Sequence, residues 1–251
     1  LTEFHLFTEA PMLDELRISV WRGTDKGIYE LYKVPQHTNQ SILDVVTYIQ
    51  RHLDPTLSYR FSCRVGMCGS CAMMVNGVPR WTCRTQVGKV ARRGGLKLAP
   101  LANMSVIKDL AVDMTTFFDR WARAGGQFDP RTSDPDEFAV VAPQSPQRRA
   151  VDEAIECIGC GVCYAACDVV AWRPDYLGPA ALNRAWSLAM DVRDGGRGRR
   201  LEAVAGDAGC HACHSLQNCA QHCPKALNPT RSIAGLKRLT AKAALRNEFG
   251  E

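Results

Sequence analysis

Between Asp54 and Asp109 the chain has no acidic residue, although Arg60, Arg64, Arg80, Arg84, Lys89, Arg92, Arg93, Lys97 and Lys108 all fall there. A basic interval of this kind suits nucleic acid, but the row of stacking aromatics expected of a binding groove is missing, and that class of partner is set aside. No run approaches the roughly eighteen apolar residues that cross a bilayer, so any membrane attachment falls to partners. An apolar secretory segment is missing at the start, which points to a reducing compartment where clustered cysteines stay thiols instead of pairing as disulfides. The last deficit is a single side chain: Leu216 stands where a cysteine pattern calls for a fourth cysteine.

What is present is ordinary in bulk and unusual in detail. The 251 residues leave room for two modest domains, and 46% hydrophobic and 23% charged residues match an average globular chain. The net charge of +5 is unevenly placed. Eleven of the twelve cysteines form three sets. Cys63, Cys68, Cys71 and Cys83 follow the plant-type C-x4-C-x2-C…C spacing of a two-iron cluster. Gly66 and Gly69 in that loop permit the tight turns that aim backbone N–H groups at cluster sulfurs. The basic interval surrounds this set, where it offsets the thiolate charge and suits docking to an acidic partner.

Cys157, Cys160, Cys163 and Cys167 form a C-x2-C-x2-C-x3-C run, and Cys213, Leu216, Cys219 and Cys223 repeat it with one substitution. In two-cluster ferredoxins the fourth cysteine of each run serves the other run's cluster. That exchange gives Cys157, Cys160, Cys163 and Cys223 to a [4Fe-4S] cluster. It leaves Cys167, Cys213 and Cys219 for a [3Fe-4S] cluster, because leucine has no lone pair to offer iron. Structural zinc is the competing reading, but zinc takes four ligands, usually as two pairs. Cys210 is left over and reads as a small buried hydrophobe.

The first hundred residues read mostly as strand, with Leu16–Trp21 and Ile28–Val34 alternating around a turn at Gly23–Gly27. A helix capped by Ser41 carries Ile42, Val45, Val46 and Ile49 on one face and stops before Pro55. Ala72–Val78 reads as a strand entering an Asn-Gly turn that returns Cys83 to the loop. A short junction helix is expected over Val106–Ala124, a linker over 125–146, and helices over Arg148–Cys157, Pro179–Asp191 and Ser232–Phe249. The expected division is 1–124, 125–146 and 147–251. Trp186 belongs to a core-facing row. Lys237, Arg238, Lys242 and Arg246 lie on the last helix as a solvated face or a contact with anionic lipid headgroups or a partner.

These motifs, with Ile107–Met114, Tyr176–Ala181 and Cys223–Pro229, resemble the iron–sulfur subunit of succinate dehydrogenase and fumarate reductase over nearly the whole chain. The resemblance implies an α+β fold: an N-terminal β-grasp plant-type ferredoxin domain, then a helical, bacterial-ferredoxin-like two-cluster domain. It implies succinate oxidation on a partner flavoprotein carrying FAD, and passage of single electrons through [2Fe-2S], [4Fe-4S] and [3Fe-4S] to a membrane quinone. It also implies membrane anchor subunits, with or without haem, and a peripheral position on the cytoplasmic face of a bacterial plasma membrane. Trp172 and His214 fall where similar proteins meet the quinone head, although Asp168-Val-Val-Ala departs from the family pattern beside them. Quinol-to-fumarate reduction and a free ferredoxin-like carrier are the alternative functions.

Overall fold

The computed structural model describes residues 13–92, 95–131 and 141–249. Arg93 of the basic interval and 132–140 of the expected linker lie outside them. Strands β1 (Leu13–Gly23), β2 (Gly27–Gln36), β3 (Ala72–Val75), β4 (Val78–Trp81) and β5 (Gly95–Ala99) form one sheet in the order β2-β1-β5-β3-β4. β1 runs antiparallel to β2 and parallel to β5. Alternation along β1 turns Leu16, Ile18 and Val20 to one side, where each is fully buried. Helix α1 (Ile42–Tyr48) lays Ile42, Val45 and Val46 over them. Each such side chain contributes roughly 1.5–3 kcal/mol by leaving water. Ser41 accepts from the Asp44 N–H while Asp44 reaches back to the Ser41 N–H, a reciprocal cap.

The expected junction helix is half strand. Short strands β6 (Val106–Lys108) and β7 (Ala111–Val112) precede α3, which starts at Thr115 and ends at Arg123. Asp109 causes the difference: its backbone is left-handed at φ 52°. Its buried carboxylate accepts from Gly23 N at 2.8 Å and Ser58 N at 2.9 Å, bonds that continued helix would not permit. Residues 125–131 of the expected linker are held fast. Arg200 donates to the carbonyls of Gly125 and Gln127, each at 2.8 Å, and Gly195 N donates to Asp129 O at 2.7 Å.

Beyond it the chain is helical. In the sheet half α2 (Val87–Val90) is a single turn; the later helices are α4 (Pro146–Val151), α5 (Val162–Ala165), α6 (Asp168–Trp172), α7 (Pro179–Ala189), α8 (Arg197–Ala205), α9 (Asn218–Gln221) and α10 (Pro229–Arg246). The core of this half lies among α7, α8 and α10. Gly235 is required on α10, because a Cβ there would stand 2.5 Å from the Trp186 ring. Trp186 donates to Ala150 O at 3.0 Å, so it is a packing residue as expected. Arg200 and Asp194, both nearly inaccessible, pair through two bonds of 2.6 and 3.0 Å. A separate cluster of Cys71, Trp81, Leu101, Val162 and Ala165, with Ile158 and Cys160 against it, joins the sheet to the helical half. Among the described residues no helix is long and apolar enough to cross a membrane.

Candidate metal centres

The loop between α1 and β3 brings the first cysteine set together. Arg64, Gly66 and Gly69 all have positive φ, which curls the loop inward. Met67 N and Cys68 N donate to Cys63 Sγ, each at 3.3 Å, and Cys63 N approaches Cys68 Sγ at 3.5 Å. Backbone donors at Cys68, then Val65 and Met67, pull the Cys63 thiol down to about 6. The β3–β4 pairing sets Ala72 opposite Trp81 and returns the next turn, with Cys83, to Cys71. Thr82 Oγ1 locks that return on Cys71 O at 2.8 Å. Burial and then the Cys71 neighbour push Cys83 up to about 11.

The two helical runs exchange members. Cys157, Cys160 and Cys163 line one cavity together with Cys223 from the second run. Cys167 from the first run lines another with Cys213 and Cys219. Gly159 (φ 65°) and Gly161 (φ 78°) allow the first run to wrap its cavity. Burial raises the Cys157, Cys160 and Cys163 thiols, most strongly Cys163. In the second cavity burial pushes Cys219 to about 11, while Thr230 Oγ1 sits 3.3 Å from its sulfur. Ser215 N donates to Cys213 Sγ at 3.4 Å, and Lys237 Nζ donates to Cys213 O at 2.6 Å.

His214 and Leu216 both line this second cavity. Trp172 does not: it stands at the end of α6 with its residue 69% exposed. Cys210 is fully buried under α10, 3.7 Å from Thr240 Oγ1, and lines neither cavity. Sequence reasoning missed the supporting groups. Asp168, noted only as a departure, accepts from Asn218 Nδ2 at 3.0 Å and so clips the two runs together. Tyr176 is buried against Cys213, Cys167 and Cys219; burial first, then their charge, holds its hydroxyl far above its usual range. A polar side chain within an apolar motif was the only available signal for Tyr176.

The donor chemistry fits iron–sulfur clusters better than a single ion. The thiols ring cavities and receive N–H donors, the arrangement that stabilises a cluster's charged sulfurs.

Comparison with known proteins agrees. Residues 15–119 match the 2Fe-2S iron-sulfur cluster binding domain and residues 156–228 match the 4Fe-4S dicluster domain. Fold and site together define a two-part iron–sulfur electron-transfer protein. The fumarate reductase iron-sulfur subunit of Mycobacterium tuberculosis is 35% identical over 87% of this chain and 88% of its own length. The succinate dehydrogenase iron-sulfur subunit of Paracoccus denitrificans is 36% identical over 79% and 75%. A chain of the Mycobacterium smegmatis Sdh1 complex in the apo form superposes with a TM-score of 0.83 at 26% identity, covering 92% of this chain and 97% of that one. The chain belongs to the family of succinate dehydrogenase and fumarate reductase iron–sulfur subunits.

Proposed function

We propose that this chain relays electrons within a succinate:quinone oxidoreductase, from a flavoprotein that oxidises succinate to a quinone at membrane anchor subunits. The observation that carries it is the exchange of Cys223 and Cys167 between the two cavities, with Leu216 in place of a donor in the second. Cys63, Cys68, Cys71 and Cys83 would hold [2Fe-2S]; Cys157, Cys160, Cys163 and Cys223 would hold [4Fe-4S]; Cys167, Cys213 and Cys219 would hold [3Fe-4S]. Bound there, the clusters supply a row of one-electron carriers. The chain's own residues set the environment: backbone N–H groups around Cys63 offset negative charge in the outer loop, and Cys163 and Cys219 lie buried in the inner two cavities. The sheet half and the helical half divide within 125–146.

Trp172 and His214 are assigned to the quinone head. His214 lines the three-cysteine cavity, and α6 carries the exposed Trp172 indole away from Cys167. The position is peripheral, on the cytoplasmic face of a bacterial plasma membrane. Relatives named for either direction match equally well, so quinol-to-fumarate reduction is the second reading.

Redox-poised EPR on the purified complex tests the assignment. A three-iron signal in the oxidised state is expected; its absence, or zinc in place of iron on elemental analysis, overturns it. Succinate-to-quinone and quinol-to-fumarate rates on the same sample decide direction, and Trp172→Ala is expected to impair quinone reduction.

A further inference from the structure

Trp81 is the last residue of β4, two positions before Cys83, and is 6% exposed. Its ring lies under the first cysteine loop, because a Cβ on Gly66 would stand 3.3 Å from Trp81 Cζ3. The other neighbour comes from the helical half. β4 packs against α5, and Trp81 shares an apolar cluster with Val162 and Ala165, with Cys160 against it. The contact between the halves is close: a Cβ on Gly69 would stand 2.5 Å from Cys160 Cβ.

Within this apolar seam the indole Nε1 is a buried donor, and among the described residues it makes no hydrogen bond of ordinary geometry. Buried donors of this kind are rare enough to need a reason. The acceptor group on the far side of the seam is Cys160, which packs against the same apolar cluster as Trp81. A protonated thiol is a weak acceptor, whereas a thiolate bound to iron carries negative charge and accepts strongly.

We propose that Trp81 is a positioning residue for electron transfer, donating its indole N–H across the seam to the Cys160 thiolate and raising the potential of the cluster that Cys160 holds. The inference rests on the cluster assignment above. The electron arriving at that cluster adds one negative charge to the thiolate cage; Trp81 keeps its proton, and the N–H···S bond strengthens as the charge grows. A bond stronger in the reduced state favours reduction. The donor belongs to the half that carries the first cysteine set, so the potential of the second centre depends on how the two halves are seated.

The test is Trp81→Phe in the intact complex, which keeps a ring in the seam and removes only the N–H. Redox-titrated EPR is expected to show the reduction equilibrium of the four-iron centre weakened about tenfold, or about 59 mV toward negative potential, with the other two centres unmoved. An unchanged potential in a fully loaded variant overturns the proposal, as does an equal shift of all three centres. Absence of a four-iron signal from the wild type would instead sink the cluster assignment. Should Trp81→Phe fail to fold, wild-type complex with 15N-labelled indole serves: the reduced four-iron centre is expected to show hyperfine coupling to an indole nitrogen, and its absence overturns the proposal.

Discussion

Cys63 in the outer loop and Cys163 in an inner cavity are held in opposite ways. Around Cys63 the backbone has arranged its donors in advance, so the thiol ionises near 6 without any metal. Around Cys163 the protein has removed water and supplied little in return, so the thiol resists ionising. Cys63 therefore sits in a preformed anion site, while the Cys163 thiolate becomes favourable only when a bound metal neutralises it. The sheet half should keep its fold without metal; the helical half should depend on it.

The sharpest break of that comparison is Cys163→Ala against Cys63→Ala. Cys163→Ala is expected to abolish the four-iron EPR signal and melt the helical half, whereas Cys63→Ala removes only the two-iron signal and leaves thermal unfolding of both halves nearly unchanged. Next comes Arg200→Met, which strands Asp194 as a buried charge and frees Gly125 and Gln127; a loss of about 3–5 kcal/mol in urea unfolding is expected. Gly69→Ala attacks the seam between the regions. Its φ of +73° and the 2.5 Å approach to Cys160 Cβ combine left-handed strain with overpacking, costing about 2–4 kcal/mol in the same measurement.

Alkylation of the metal-free protein reads the thiols directly. Cys63 should react about fourfold faster than an ordinary exposed thiol at pH 7, its greater ionisation partly offset by weaker nucleophilicity. The folded-state value lies below the ordinary one near 9, so the rate is expected to fall as pH drops through about 6, and mass spectrometry locates the adduct. Any stability from this ionisation is complete above pH 9 and is lost as pH falls toward 6. The smallest effect is Ser41→Ala, expected to cost about 1 kcal/mol in urea unfolding by removing the cap of α1.

Legibility in the sequence followed how local the cause was. The Asn76-Gly77 turn, the Ser41 cap and the cysteine spacings depend on neighbours a few residues apart, and all three could be read directly. The helix expected across 106–114 failed because Asp109 answers to Gly23 and Ser58, far away in the chain. The anchoring of 125–131 was hidden for the same reason: Arg200 supplies it from α8, inside a stretch rich in Gly and Arg that gave no clear pattern. Spacing suggested the exchange of Cys167 and Cys223, but the Asp168–Asn218 clip beside it needed coordinates. Trp81 had no signal at all, since an aromatic in a strand reads as core.

The crossing of Cys167 and Cys223 also constrains the order of biosynthesis. Each cavity borrows a wall from a run that leaves the ribosome at a different time, so a nascent chain displaying Cys157, Cys160 and Cys163 has no finished cage to offer. Translation must pass Cys219 before the three-cysteine nest can close and Cys223 before the four-cysteine nest can, and the exposed sulfurs meanwhile need protection from oxidants and stray metals.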